Sequence, residues 1–417
     1  MSNVMSVEEA RERVFARCRV LETEEVPLLE SLGRVLAHDA VSDIDVAPFD
    51  NSAMDGYALH AADLAGASPD APVTLDVVSH IGAGDHSELE VAPGQAARIM
   101  TGAAMPPGAD SVVMVEFTEA GEADGGAGGT VRIMREPMLG EHIRRRGEEV
   151  VAGDVVLAKG EVIGAAGVGL LASTGHASVT VHRRPRVAVI STGDELVEVA
   201  ELPGPGKIRN SNSYSIAAQV IAAGGVPLRY PIVGDDLDAT REAFTRAAAE
   251  SDFIVTSGGV SVGDFDYVKP VLEEMGELEF CKVAMRPGNP QTLGSVEGVP
   301  FFGLPGNPTS TYVGFEIFVR PALRYMQGHT ALDRPRHPAR LAHDVKKKQD
   351  RRYFLRARVT RTGDGVYEVA LSGSQSSALL TAAHRGNCLL VLPEGEGSFA
   401  AGSDVQVVRL DMEEGIE

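Results

Sequence analysis

Ser6-Val-Glu-Glu9 has the spacing of a capping box, and Ala10, Val14, Cys18 and Leu21 follow at near-helical intervals. The pattern predicts an amphipathic first helix ending before Pro27, then a short β-like region up to Pro48. From about 44 to 147 the period shortens. Runs at 73–78, 97–100, 111–115 and 130–133 are brief, β-rich and separated by Gly and Pro, as in a small β-rich domain. Residues 119–129 carry five glycines and read as a hairpin tip. Segment 152–181 returns to short strands, with a small-residue helix around 165–172. It would complete the opening segment, making the β-rich block an insertion.

At Arg183-Arg-Pro-Arg186 a different alternation begins. Strand-like runs at 187–191, 226–233, 253–257, 279–285 and 301–304 alternate with helical patterns at 213–223, 237–249, 267–275 and 309–326. Gly224-Gly225 stops the first of these helices, and Pro270 falls in the first turn of the third. Such alternation predicts a doubly wound parallel sheet, which binds ligands at the carboxyl ends of its strands. The remainder is β-like again at 354–360, 366–371, 388–392 and 405–410. The expected class is α/β plus β in several domains. Residues 1–43 with 148–181 would form a linker or N-terminal domain and 44–147 the inserted β-rich domain. Residues 182–329 would form the α/β domain and 330–417 a C-terminal β domain.

At 417 residues the chain exceeds what one core usually supports, roughly 250–300. Its net charge of −21 argues against nucleic-acid or anionic-membrane partners, which require a basic face. It leaves room for an anionic ligand, which responds to the local field of a cleft. Cys18, Cys281 and Cys388 are few and far apart, with no C-x-x-C pair, as expected in a reducing compartment. The eleven histidines never form H-x-x-x-H, which argues against a zinc enzyme. The first residues lack an apolar signal core, and no run approaches the ~20 apolar residues of a membrane span. A cytoplasmic location is expected.

Chemistry concentrates in Val255-Thr-Ser-Gly-Gly-Val-Ser-Val-Gly-Asp-Phe-Asp-Tyr267. An apolar strand runs into three glycines and two serines, then into Asp264 and Asp266. Glycines expose backbone N–H groups, and a row of them opening a helix suits phosphate. Ser257, Gly258, Gly259, Ser261 and Gly263 are the candidate substrate-binding residues of this loop. Alone, the segment is equally a glycine-rich turn with solvated acids. Asp194 and Glu195, and Asp235 and Asp236, fall at neighbouring strand ends, each explicable singly as a loop acid or helix N-cap. Together with Asp264 and Asp266 they would repel one another unless a cation sat among them. Magnesium held by Glu195, Asp235 and Asp266 is the expected account. Ser257 and Ser261 lack a neighbouring His, so metal-assisted phosphate chemistry fits better than acyl transfer. Arg144-Arg-Arg146 is either a solvated face or a grip on an anion. Asp50-Asn-Ser-Ala-Met-Asp-Gly-Tyr57 and Thr101-Gly102 read on their own as turns.

Read together, seven segments resemble the molybdopterin molybdenumtransferase family, which includes the E domain of gephyrin. They are Pro48-Phe-Asp-Asn-Ser-Ala-Met-Asp-Gly-Tyr57, Arg98-Ile-Met-Thr-Gly102, Ile143-Arg-Arg-Arg-Gly147, Ser191-Thr-Gly-Asp-Glu-Leu196, residues 257–266, Leu304-Pro-Gly-Asn-Pro308 and Gly386-Asn-Cys388. They occur in the family's order and span nearly the whole chain. The resemblance implies four domains, an elongated homodimer and a cleft completed by the partner subunit. It also implies insertion of molybdate into the dithiolene of adenylylated molybdopterin, with magnesium and release of AMP. Other proteins of molybdenum cofactor biosynthesis are possible partners by the same resemblance.

Carried over, it gives catalytic roles to Asp55, Thr101, Glu195, Asp235 and Asp266, and substrate contacts to Arg144, Pro305, Gly306 and Asn307. Molybdate would meet Arg286, Asn289, Pro290, Ser310, Arg356 and Ser377. The chain departs from the family where Arg286-Pro-Gly-Asn-Pro290 replaces a common Lys-Pro-Gly-Lys-Pro. Asn210-Ser-Asn212 replaces Asp-Ser-Asn or Asp-Thr-Asn, and Glu149 replaces a frequent Asp. Two other readings remain: a catalytically weak pterin-binding or scaffolding protein, and an enzyme that adenylylates molybdopterin. The acid cluster argues against the first and the extra β domains against the second.

Overall fold

The computed structural model describes residues 4–121, 126–258 and 268–412. Helix Val7–Phe15 starts at the expected capping box, where the Ser6 hydroxyl accepts from the Glu9 amide at 3.0 Å. Its apolar face, Val7, Ala10 and Val14, packs into the largest core with Val187, Val255, Phe302 and Phe318. Strand Val4–Met5 ahead of it pairs in parallel with Gly276–Val283. The opening residues therefore pack on the α/β unit, whose sheet face offers the apolar surface that the helix stripe must cover.

Seven strands form the α/β sheet, in the order Val4–Met5, Gly276–Val283, Pro290–Val296, Val299–Leu304, Phe253–Ser257, Arg186–Ser191, Val226–Arg229. Successive residues face opposite ways, as a pleated strand requires. Val187 and Val189 join the core under helices Val7–Phe15 and Ser211–Ala222, while Ala188 and Ile190 meet Phe244 and Leu272 on the other face. Both faces are thus covered, which is why these strands read as continuous apolar runs.

The parallel sheet contains one reversed strand absent from the sequence reading. Pro290–Val296 runs antiparallel to both neighbours. Its sequence, Pro-Gln-Thr-Leu-Gly-Ser-Val, mixes polar residues with a glycine and offers no apolar run. Gly294 is required there, since a Cβ would lie 2.0 Å from the Glu277 carbonyl oxygen. The helix expected at 309–326 is interrupted by a π turn, Phe315–Val319, between Pro308–Gly314 and Arg320–Met326. That wider turn immediately precedes Pro321, which has no N–H for an ordinary helical bond.

The inserted β-rich block is a six-stranded sheet containing Gly56–Leu59, Gln95–Ile99 and Val73–Ile81. Thr118–Ala120 and Thr130–Ile133 pair as a hairpin, and its tip, 122–125, lies outside the described residues. The flanking segments meet as Thr23–Pro27 with Ser178–His182 and Ala40–Val41 with Val155–Leu157. Leu36, Leu157, Leu171 and Val181 share a core there.

In the C-terminal part, Arg352–Arg361 pairs with both Tyr367–Leu371 and Cys388–Leu392. With Arg336–Leu341 and Asp404–Arg409 this closes a barrel-like ring. One further pairing joins the ring to the α/β unit: Met285–Arg286 runs parallel to Arg352–Tyr353, opposing Arg286 to Tyr353. Among the described residues no helix is long and apolar enough to cross a membrane.

Candidate functional site

Two clefts open at the carboxyl end of the α/β sheet. The first lies beyond strands Arg186–Ser191 and Phe253–Ser257, and its walls include Ser191, Thr192, Glu195, Asn210, Asn212, Ser257, Gly258 and Gly306. Asn212 links its two sides: one amide nitrogen donates to Ser257 Oγ at 2.7 Å and to the Gly306 carbonyl at 2.8 Å. Asn210 caps helix Ser211–Ala222 by accepting from the Ser213 amide at 3.2 Å, which leaves its own Nδ2 buried without a partner. Ser191 Oγ, Thr192 Oγ1 and, next to the cleft, Ser213 Oγ are likewise buried and unpartnered among the described residues. Buried polar groups are nearly always paired, so this set calls for a ligand or water that offers both donors and acceptors. Gly258, with φ +88°, turns the chain away from the strand end, where a Cβ would approach the Thr192 carbonyl oxygen to 3.0 Å.

A parallel bridge between Thr192 and Val233 brings the Asp194 and Asp235 loops together. Asp194 accepts from the Asp235 amide at 3.1 Å, and Asp236 caps helix Leu237–Glu250 through the Ala239 amide at 2.8 Å. Two of these four acids therefore serve the backbone. Glu195 and Asp235 are exposed, and among the described residues neither carboxylate forms an ion pair. Oxygen-only donors suit magnesium. Among the described residues no group of three or more His, Cys, Asp or Glu could hold a metal. The third expected ligand, Asp266, lies outside the described residues, as do Gly259, Ser261, Gly263 and Asp264.

The second cleft, about 280 Å³, collects residues from both sides of the barrel junction: Arg286, Asn289, Pro290, Pro305, Asn307 and Ser310 face Lys348, Arg351, Tyr353, Gln375 and Ser377. Two bonds hold the junction, from the Thr309 amide to the Ser377 carbonyl at 2.9 Å and from the Thr309 hydroxyl to the Leu379 carbonyl at 2.8 Å. Five of the six residues implied for molybdate line this cleft. The sixth, Arg356, is 1 % exposed behind it. One Arg356 nitrogen donates to the Ser376 carbonyl at 3.2 Å, and its Nε is buried without a partner among the described residues. Burial, and then the nearby Arg286 charge, push its pKa down to about 10. Among the described residues no carboxylate lines the cleft. A buried guanidinium near another arginine, with no acid paired to it among the described residues, suits an anion.

Asn289, implied to meet molybdate, uses its side-chain amide within its own loop. Its Nδ2 donates to the Val283 carbonyl at 2.6 Å, and its backbone carbonyl accepts from the Val283 amide at 2.8 Å, so side chain and backbone together close the loop. Lys348, Arg351, Tyr353 and Gln375 were not foreseen. The only sequence signal was the charge run Lys346-Lys-Lys-Gln-Asp-Arg-Arg352, which looks like any solvated loop.

On the inserted block, Asp55 accepts from the Thr101 amide at 2.7 Å and the Thr101 hydroxyl at 2.8 Å. The amide first, then the hydroxyl, hold Asp55 below the usual carboxylate range. Of the arginine run, Arg145 pairs with Asp50 and Arg146 with Asp45. The Arg144 side chain alone has no partner among the described residues. Neither Asp55, Thr101 nor Arg144 lines either cleft.

Fold and clefts define a multidomain protein whose α/β unit presents a polar strand-end pocket beside a cationic one. Family models match in three consecutive blocks. They are the MoeA N-terminal region (domain I and II) over 5–175, a probable molybdopterin binding domain over 188–325 and the MoeA C-terminal region (domain IV) over 338–410. The molybdopterin molybdenumtransferase of Bacillus subtilis (strain 168) is 41% identical over 412 residues, covering 99% of this chain and 95% of that protein. The one from Staphylococcus aureus (strain MSSA476) is 39% identical over 407 residues, covering 97% and 96%. A crystal structure of the molybdopterin biosynthesis MoeA protein from Pyrococcus horikosii superposes with TM-score 0.80 at 32% identity, covering 99% of this chain and 100% of that one. The chain belongs to the molybdopterin molybdenumtransferase family.

Proposed function

We propose that this chain inserts molybdate into the dithiolene of adenylylated molybdopterin, releasing AMP and the finished cofactor. The observation that carries this reading is the acid-free cleft of Arg286 over the buried, unanswered Arg356, one loop away from the hydroxyl-lined pocket. Gly306 and Pro308 line the pocket while Pro305 and Asn307 line the cationic cleft. A ligand in the pocket thus abuts an oxyanion across a single loop. Ser257, Gly258 and the unpartnered Ser191, Thr192 and Asn210 groups would hold the organic substrate. Arg286, Ser310 and Ser377 would orient the tetrahedral oxyanion by charge-assisted hydrogen bonds. Magnesium, held by Glu195 and Asp235 with Asp266, would neutralise phosphate charge when bound.

The working form in this reading is a homodimer in the cytoplasm. Asp55, Thr101 and Arg144 are exposed on a separate block and line neither cleft, as befits residues that act on the site of a second copy. The relatives that match end to end bear the molybdenumtransferase name, and nothing in the clefts favours the scaffolding or adenylylating alternatives.

The test is AMP release by the purified chain from adenylylated molybdopterin, with and without molybdate, before and after chelation of magnesium. Release that requires both is expected. Release indifferent to molybdate would overturn insertion, and release indifferent to chelation would remove the magnesium. Mixing Asp55→Ala with Glu195→Gln subunits should restore one working site in each mixed dimer; an exchanging mixture that stays inactive would refute the shared cleft.

A further inference from the structure

The oxyanion cleft has lost a positive charge at Asn289, yet the barrel brings two groups to the same wall that no motif assigned. Lys348 and Tyr353 both line it. The Tyr353 oxygen receives two long hydrogen bonds, from the Lys348 backbone amide at 3.3 Å and from Arg286 Nη1 at 3.4 Å. A phenol oxygen that already accepts twice has only its proton left to offer. Burial opposes ionisation, but the Lys348 amide and the Arg286 guanidinium outweigh it and bring the hydroxyl below its ordinary value, which makes it a better donor.

The cations around it have separate tasks. Lys347 donates to the carbonyls of Lys348 and Arg351 and so ties the loop together. Arg351 is engaged by Asp350, and Arg352 by Glu8 and Glu394. The Lys348 ammonium has no hydrogen bond or ion pair among the described residues, and Asp350, already held by Arg351, only feels its charge. Arg286 and Lys348 therefore provide two positive charges at the cleft, the number that two lysines in the 286–290 loop would supply.

We infer that Lys348 and Tyr353 of the C-terminal barrel complete the oxyanion site, Lys348 replacing the charge absent at Asn289 and Tyr353 donating its proton to a molybdate oxygen. The inference rests on reading this cleft as the molybdate site. It makes the barrel a determinant of oxyanion affinity rather than a passive appendage, because residues 286 and 353 are brought opposite each other by the strand pairing itself.

The experiment is calorimetric titration of molybdate alone into the full chain, at low and high salt, with melting temperatures as a fold control. Lys348→Gln should weaken binding about tenfold at low salt and less at high salt, since an exposed charge is screened. Tyr353→Phe should weaken it about threefold, with little salt dependence. Adding Asn289→Lys should rescue Lys348→Gln and leave Tyr353→Phe impaired. If both barrel variants bind like the parent while Arg286→Ala loses binding, the barrel assignment falls and the cleft stands. If Arg286→Ala also binds like the parent, or the parent itself does not bind, the cleft has been misread and the inference falls with it.

Discussion

Across the loop 305–308 the chain turns from one cleft to another of contrasting chemistry. On the Gly306 side, the groups left without partners among the described residues are hydroxyls and an amide from Ser191, Thr192 and Asn210. On the Pro305 side they are a buried guanidinium nitrogen of Arg356, behind the cleft, and the exposed ammonium of Lys348, which has no ion pair among the described residues. Neutral groups of the first kind each cost roughly 1–3 kcal/mol when buried unpaired, and they can be satisfied by a ligand that both gives and accepts. Guanidinium and ammonium only donate and carry positive charge, so a ligand that answers both their hydrogen bonds and their charge is an anion. In the proposed reading the contrast would separate two substrates: an organic molecule rich in donors and acceptors on one side, a compact oxyanion on the other. On that reading the reaction would take place at the shared loop, and substitutions should respect that boundary.

The largest expected effect comes from the acids at the mouth of the first cleft. Glu195→Gln and Asp235→Asn replace exposed carboxylates that form no described ion pair, so melting should shift little, within about 0.5 kcal/mol. AMP release at fixed magnesium should fall by roughly a hundredfold, because metal charge stabilisation is worth several kcal/mol. Molybdate binding, across the loop, should not change. A magnesium titration of AMP release decides this: variants with the parent's magnesium response would put the metal elsewhere. A loss of molybdate affinity would break the division between the clefts.

Much of this arrangement is legible in the chain. The capping box at Ser6, the apolar runs at 187–191 and 253–257, and the glycine stop at Gly224 all predict elements that the structure contains. Those signals are local, since each depends on residues within one turn or one strand. Strand Pro290–Val296 was missed because it is held by neighbours on both sides and buried through Gly294's close approach, not by an apolar pattern. Helix Val7–Phe15 announced that it would bury a face but not which surface would receive it. The second cleft was legible on its α/β side, where motifs carry it. On its barrel side the resemblance reached Ser377 and Arg356 but not Tyr353, which comes opposite Arg286 through strand pairing between residues nearly seventy positions apart. Lys348 sits in a charge run that sequence alone cannot distinguish from a solvated loop.

Asn212 offers a sharper test of the same boundary. Its side chain joins Ser257, at the end of one strand, to Gly306, in the loop after the next. Asn212→Ala removes both bonds and frees the two walls of the first cleft to move independently. The half-saturating concentration of adenylylated molybdopterin should rise about tenfold, as expected for losing a bridging hydrogen-bond pair. The half-saturating molybdate concentration should stay near the parent's, since the bonds from Thr309 to Ser377 and Leu379 still brace the second cleft. Equal rises in both would mean that the loop transmits the change, and the clefts would then have to be treated as one.

The smallest effect is expected at Asp236, next to Asp235 in sequence and unlike it in task. Asp236 accepts from the Ala239 amide at 2.8 Å and so satisfies one of the open N–H groups of helix Leu237–Glu250. Removing such a cap costs about 1 kcal/mol. Asp236→Ala should therefore lower unfolding stability by that amount in chemical denaturation while leaving AMP release at saturating substrates near the parent's. Asp235→Ala should do the opposite, because its carboxylate caps nothing and makes no ion pair among the described residues. Neighbouring acids would then divide into one that builds the helix and one that serves the cleft. If Asp236→Ala lost turnover as severely as Asp235→Ala, the cap itself would be part of the site, and the boundary between structural and functional acids would have to move by one residue.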